Sequence, residues 1–292
     1  MTTKIATVQL SSGYSMPLIG AGTFRIKGKD LTNKVIDECL KVGFRSIDTA
    51  AIYGNEKNIG SALKILLPKH DLQRSDIFIT TKLSRIYNGQ PEKIEQAVKK
   101  SLMALRTTYI DLYLIHWPGA RGIPQASPEN PSLRAKTWYK LVELQKKGLI
   151  RSIGVSNYTI NHLKELLSDC KSVPPAVIQI ECHPHYCQEE LRKFCKDKDI
   201  HVQAYSSLGT SSKTSLLSDP TVLKIASKLK VSPARVLLKW GLQQGMSVIP
   251  KAAKPQHIKD NIKLNFNIDK KSMEALSHLP QQKYAWDPSR VS

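Results

Sequence analysis

Nine polar residues of types that move protons, hold charge or bind amides stand at or just past short β-rich runs: Asp48, Tyr53, Lys82, His116, Ser156, Asn157, Gln179, Tyr205 and Lys251. Each has a plain explanation when taken alone. An Asp after a strand serves turns and helix caps, a strand-end Lys snorkels to water, and a single His fills a hydrogen-bonded core position. Taken together, Asp48, Tyr53, Lys82 and His116 form an acid–base set. A lysine ammonium beside a phenol favours phenolate and lowers the tyrosine pKa, and a carboxylate keeps that lysine charged. A nearby imidazole orients a carbonyl oxygen or shares its proton.

Such a set needs a scaffold that gathers residues far apart in sequence. Strand-like runs lie at 18–21, 45–48, 77–82, 110–115, 152–155, 176–179, 200–205 and 246–249. Helical stripes lie between them: Leu31, Val35, Cys39 and Val42; Ile94, Ala97, Val98, Leu102 and Leu105; Val222, Ile225, Ala226 and Leu229. Ser232-Pro233 reads as an N-cap with proline at the first helical position, and further helices are expected near Pro255–Asn261 and at 270–278. Repeated βα units demand a parallel sheet covered by helices. Eight of them predict an α/β fold, a (β/α)8 TIM barrel in one domain over residues 1–292, with catalytic groups at the C-terminal strand ends. A β-hairpin at 6–18 is expected to cap the barrel bottom, and extra helices follow at the C-terminal end. The polar stretch 119–133 is too long for an idle loop.

The 292-residue chain carries 44 Lys plus Arg against 24 Asp plus Glu, a formal charge of +20. The basic residues are dispersed, with no block of five, so they read as solvated faces and not as a specific nucleic-acid surface. Five cysteines without CxxC, no apolar leader and no run long enough to cross a bilayer point to a reduced, cytoplasmic protein that does not engage a membrane. Cys182-His-Pro-His-Tyr-Cys187 offers four metal-ligand side chains, but its spacing is that of no standard zinc site, and it reads as a structural loop without metal. Gly20-Ala-Gly22-Thr-Phe-Arg25 starts like a dinucleotide fingerprint, yet has Arg25 where the third glycine belongs.

Longer segments carry a resemblance. Gly43-Phe-Arg-Ser-Ile-Asp-Thr-Ala-Ala-Ile-Tyr-Gly-Asn-Glu56, Tyr109 through Pro118, Ile153-Gly-Val-Ser-Asn157 and Ile249-Pro-Lys-Ala252 resemble the signatures of the aldo-keto reductase family, in order and along essentially the whole chain. The resemblance implies a monomeric, NADPH-dependent reductase of small-molecule aldehydes and ketones, similar to the shorter broad-specificity members. It makes Tyr53 the proton donor, tuned by Lys82 and Asp48, with His116 positioning the carbonyl. Tyr205 would stack on the nicotinamide and Ser156, Asn157 and Gln179 would hold its carboxamide. Gly22, Thr23 and Asp48 would line the cofactor site, joined by Ser206, Leu208, Lys251, Ala252, Lys254, His257 and Asn261. Phe24 and Trp117, with Tyr53 and His116, would form the substrate pocket.

The chain departs from the family in places. The loop after Tyr205 (209–216) and the tail after Leu279 are short, which disfavours a steroid-specific role and large apolar substrates. His257 stands where the family usually places an arginine, and Ala252 lacks a hydroxyl often found there. Two other readings compete: a Schiff-base aldolase using Lys82, which Asp48 opposes by keeping the lysine charged, and a cofactor-binding redox sensor or crystallin-like protein with little turnover.

Overall fold

The computed structural model describes residues 5–169, 173–209 and 216–292. Two strands, β1 (Thr7–Gln9) and β2 (Ser15–Pro17), pair antiparallel and precede an eight-stranded parallel sheet. That sheet runs, in spatial and chain order, through β3 (Ala21–Gly22), β4 (Ser46–Asp48), β5 (Phe78–Leu83), β6 (Ile110–Ile115), β7 (Ile150–Ser156), β8 (Val177–Glu181), β9 (His201–Tyr205) and β10 (Ser247–Val248). It closes on itself. Ile19 bridges Val248 in parallel, and the amides of Gly20 and Val248 donate to the carbonyl oxygens of Val248 and Leu18 at 2.9 Å. The (β/α)8 barrel read from the sequence is therefore the fold.

Helices α1 (Lys29–Val42), α2 (Glu56–Lys69), α3 (Pro91–Leu105), α4 (Asn130–Lys146), α5 (Ile160–Asp169) and α6 (Glu189–Asp197) alternate with the strands. After β9 come α7 (Pro220–Leu229) and α8 (Pro233–Gln243), and after β10 come α9 (Pro255–Asn261) and α10 (Lys270–Ser277). Their ends follow local chemistry. Gly43 closes α1 at φ 106°, a conformation that costs a residue with a Cβ. Asp219 caps α7, accepting from Thr221 N at 2.8 Å, with Pro220 in the first turn. Ser232 caps α8 as read from its Ser-Pro pair. The expected first stripe holds at its centre and not at its ends: Val35 and Cys39 are buried together with Ile36 and Leu40, each aliphatic side chain contributing about 1.5–3 kcal/mol, while Leu31 is exposed in the first turn and Val42 is half-buried. Among the described residues no helix is long and apolar enough to cross a membrane.

The hairpin stops the N-terminal end of the barrel. Met16 is fully buried with Leu10 in a cluster with Phe78, Leu112, Leu114 and Val177, and the Ser12 hydroxyl meets that of Ser152 at 2.7 Å. The polar residues at the other end are thus the ones the barrel leaves open. Some boundaries differ from the sequence reading. The segment at 119–133 surrenders its last residues to α4, where Asn130 accepts from Ala120 N and donates to the carbonyl oxygens of Pro124 and Gln125. Strand β8 runs past Gln179 to Glu181, and β5 past Lys82 to Leu83.

Candidate active site

Parallel pairing sets the depth of each polar residue in the barrel. Asp48 lies beside Gly22 on one side and Thr80 on the other, and Lys82 stands one inward position above Thr80. Lys82 is wholly buried. Its Nζ donates to Asp48 Oδ1 at 2.8 Å, Asp48 Oδ2 at 2.9 Å and the Thr49 carbonyl at 2.8 Å. The same ammonium lies 5.1 Å from the centroid of the Tyr53 ring. Tyr53 sits in a short 3-10 turn between β4 and α2, and its ring packs against Phe24 (5.1 Å) and His116 (5.9 Å, edge-on). The four residues of the acid–base set, drawn from three strands and their loops, therefore converge on one mouth.

Their electrostatics sharpen and partly correct the sequence reading. Burial pulls the Lys82 ammonium down, but Asp48 and Tyr53 outweigh it and its pKa is raised, so it stays charged. Burial raises the Tyr53 phenol. The Lys82 charge pulls it back down and Asp48 pushes it up, and the net shift is upward. The expectation that Lys82 lowers the tyrosine pKa thus holds for the direction of its own effect and fails for the sum, because a buried phenolate must also be desolvated. Burial, and secondarily Lys82, bring His116 down to about 3, so its imidazole is neutral at pH 7. Its Nδ1 is buried without a hydrogen-bond partner among the described residues.

A second group lines the adjacent strands. The amide nitrogen of Gln179 donates to Asp48 Oδ2 and Gln203 Oε1, both at 2.7 Å. Ser156, the last residue of β7, donates to the Gln179 carbonyl at 2.9 Å. Asn157 follows in a left-handed conformation (φ 62°), its Nδ2 donating to the His116 carbonyl at 2.9 Å and its Oδ1 accepting from the Tyr205 hydroxyl at 2.7 Å. The amides expected to hold a carboxamide are thus clustered, and they also brace His116. Tyr205 ends β9. Ser206 then turns with φ 52°, and Leu208 packs on the core. Most of the short loop expected after Tyr205 (210–215) lies outside the described residues.

At β3 the Thr23 hydroxyl donates to the Asp48 carbonyl at 2.8 Å. A Cβ on Gly22 would come within 2.6 Å of the Ile249 carbonyl, so close approach of β3 to the β10 end explains this glycine. Lys251, Lys254 and His257 are exposed and make no side-chain hydrogen bond or ion pair among the described residues, with Lys254 immediately before α9. Ala252 is half-buried and Asn261 buried. Phe24 is 41% exposed and Trp117 half-buried, both beside the mouth. In the 182–187 segment the Cys182 thiol donates to the Cys187 carbonyl and the Cys187 thiol to that of Pro184. Among the described residues no cluster of three potential metal ligands occurs.

Several residues at the site were not singled out in the sequence. Asn55 is buried and satisfied. Its Nδ2 donates to the carbonyl oxygens of Thr23 and Ile26 at 3.0 Å, and its Oδ1 accepts from the Thr49 hydroxyl at 2.6 Å, which ties the Phe24 loop to the Tyr53 loop. Glu181 is buried at the end of β8 and holds the tail, accepting from Tyr284 N (2.6 Å), Ala285 N (2.9 Å) and Lys283 Nζ (3.0 Å). Burial raises its carboxyl, but His183, Lys283 and the tail amides outweigh that and bring it to about 2. The chain end is seated as well: His162 Nε2 meets the Val291 carbonyl at 2.7 Å, and Ser292 N donates to Gln125. The tail runs from the end of β8 to the loop after β6. The only sequence signal for Asn55 was its place in the Tyr-Gly-Asn-Glu run; Glu181 had a strand-end position and nothing more.

A protonated phenol above a buried ammonium, with a neutral imidazole facing it, suits a barrel enzyme that gives a proton to an oxygen as charge develops there. The comparisons with known proteins narrow the class. The aldo/keto reductase family model matches residues 18–280. Glycerol 2-dehydrogenase (NADP(+)) of Saccharomyces cerevisiae is 39% identical, covering 97% of this chain and 92% of its own length. Aldo-keto reductase family 1 member A1 of Bos taurus is 39% identical, covering 93% and 88%. The solved aldose reductase of Schistosoma japonicum superposes with a TM-score of 0.86 at 32% identity, over 96% of this chain and 94% of that one. The chain belongs to the aldo/keto reductase family and is an oxidoreductase acting on carbonyl and alcohol groups.

Proposed function

We propose that this protein reduces small aldehydes and ketones to alcohols with NADPH, as one catalytic domain working as a monomer in the cytoplasm. The observation that carries the reading is the Asp48–Lys82–Tyr53–His116 cluster, with a buried lysine that stays charged beneath a phenol. The residues fit a nicotinamide dinucleotide phosphate. Lys251 and Lys254 are cations without acidic partners among the described residues, in the segment leading into α9, where a 2′-phosphate would be favoured. Gln179, Asn157 and Ser156 supply amide and hydroxyl groups for a carboxamide beside Asp48, and Tyr205 offers a ring. When bound, the cofactor supplies the hydride.

The chain's own groups do the rest. His116 and Tyr53 orient the carbonyl oxygen, His116 as a neutral hydrogen-bond donor. Negative charge grows on that oxygen as the carbon is reduced, and Tyr53 passes it the phenolic proton. Lys82 stabilises the phenolate left behind, and Asp48 holds Lys82 in place until solvent restores the proton. Phe24 and Trp117 give the substrate apolar walls.

The aldolase reading is disfavoured by the two-oxygen grip of Asp48 on Lys82, which keeps the amine protonated and unable to attack a carbonyl. The test is NADPH oxidation with aromatic aldehydes, short α-dicarbonyls, aldoses and prostanoid-like ketones. We expect turnover with several aldehydes and no borohydride-trapped adduct on Lys82. A sensor-like protein would bind NADPH and turn over none of them.

A further inference from the structure

Two glutamines face each other on neighbouring strands beside the acid–base set: Gln179 of β8 is in register with Gln203 of β9. Barrel interiors are filled mainly by branched aliphatic side chains, and a buried amide persists only where its donors and acceptor are met. Both glutamines are buried, at 2% and 1% exposure. Gln203 stands two residues before Tyr205 and carries no mark in the sequence that separates it from an ordinary strand residue.

The hydrogen bonds here form a chain with one direction. Asp48, ion-paired with Lys82, is a carboxylate and only accepts, so the Gln179 amide must turn its Nε2 toward Asp48 Oδ2, at 2.7 Å. The second hydrogen of that nitrogen goes to Gln203, which must answer with its Oε1, also at 2.7 Å. The Gln203 Nε2 is left facing the Met16 thioether of the hairpin, a weak acceptor, at 3.7 Å. Either bond alone would leave the Gln179 amide free to turn about one N–H···O axis; the two together fix its plane. Both of its hydrogens are then spent. Its one open polar atom is Oε1, which has no hydrogen-bond partner among the described residues.

We infer that Gln203 is a positioning residue, which locks the Gln179 amide so that Oε1 is held ready to accept from the carboxamide N–H of the nicotinamide. Without the Gln203 oxygen, one Gln179 hydrogen is left unpaired in the barrel and the amide loses its fixed plane. The inference rests on the NADPH reading above and adds to it a residue that acts through Gln179.

The experiment measures dissociation constants for NADPH and for 2′,5′-ADP, which carries the adenosine 2′-phosphate but no nicotinamide, in the intact protein and its variants. Gln203→Met keeps the length of the side chain and removes the oxygen acceptor. Its Kd for NADPH should rise about five- to tenfold, the scale of one hydrogen bond, while that for 2′,5′-ADP stays within about twofold. Gln203→Glu restores an oxygen at the same place, and all binding is measured at pH 6, where burial keeps the added carboxyl neutral. This variant should stay within about twofold of wild type for both ligands, because its carbonyl oxygen still accepts from Gln179. Should Gln203→Met not fold, Gln203→Leu carries the same comparison. Unchanged NADPH binding without the acceptor, an equal loss for NADPH and 2′,5′-ADP, or a Gln203→Glu variant as weak as Gln203→Met overturns the inference and leaves the reductase reading standing. Wild-type protein that fails to bind NADPH would instead overturn the cofactor reading.

Discussion

Lys82→Met separates the energetic role of the central ion pair from its chemical one. The substitution keeps a side chain of similar length in a position that is 0% exposed, and it removes the three hydrogen bonds the ammonium makes to Asp48 and Thr49. Asp48, 3% exposed, is left with the Gln179 amide as its side-chain donor. Removing one partner of a buried pair costs about 3–5 kcal/mol, because the other charge remains desolvated. At about 2 °C per kcal/mol for a chain of this size, the apparent Tm should fall by about 6–10 °C. Adding Asp48→Asn removes the stranded charge, so Asp48→Asn/Lys82→Met should regain at least half of that loss. It should regain none of the turnover, since Tyr53 still lacks its neighbouring cation. The assay is a thermal melt at pH 7 beside steady-state aldehyde reduction. The reasoning is refuted if the single variant melts within about 1 °C of wild type, or if the double variant is no more stable than the single one.

Three further outcomes follow from the same geometry. Asn55→Ala deletes three buried hydrogen bonds, two of them from the Tyr53 loop to the Phe24 loop and one within the Tyr53 loop, and should lower stability by about 1–3 kcal/mol in urea melts and kcat more than the dissociation constant for NADPH; unchanged kcat would show the staple is not needed to place Tyr53. Burial depresses His116 to about 3 and His201 to about 4, below the ordinary 6.5, so the unfolded chain takes up these protons first. The stability they confer is complete above pH 6.5 and is lost as pH falls. Urea melts should therefore lose about 2 kcal/mol between pH 6.5 and 5.5 from this pair, and a flat profile would contradict the burial. Lys251→Ala should cut the NADPH-over-NADH preference in kcat/KM by about tenfold, the scale of one charge-assisted contact, and an unaltered preference would remove Lys251 from the phosphate site.

The barrel and the four central residues were legible because each leaves a local mark. Buried parallel strands are short apolar runs such as Ile110–Ile115, their covering helices show stripes such as Val35–Cys39, and a functional side chain follows the run. Asn55, Glu181 and His162 left no such mark. Each acts on a segment distant in sequence: Asn55 on the Thr23 loop, Glu181 and His162 on the C-terminal tail. An Asn or Glu of this kind looks like any turn or surface residue until the chain is folded. The Tyr53 shift was misjudged for a related reason. The sequence places a lysine near the phenol, but the extent of burial that opposes its charge is set by Phe24 and His116 arriving from other loops.

The central claim is that Tyr53 gives the proton to the reduced oxygen, and Tyr53→Phe tests it most directly. The ring's contacts with Phe24 and His116 are retained and only the hydroxyl is lost. NADPH binding, followed by protein fluorescence quenching, should stay within about twofold, while kcat for an aldehyde falls by at least about 10²-fold, the scale of lost general acid catalysis. Near wild-type turnover in a variant that binds NADPH normally would contradict the account.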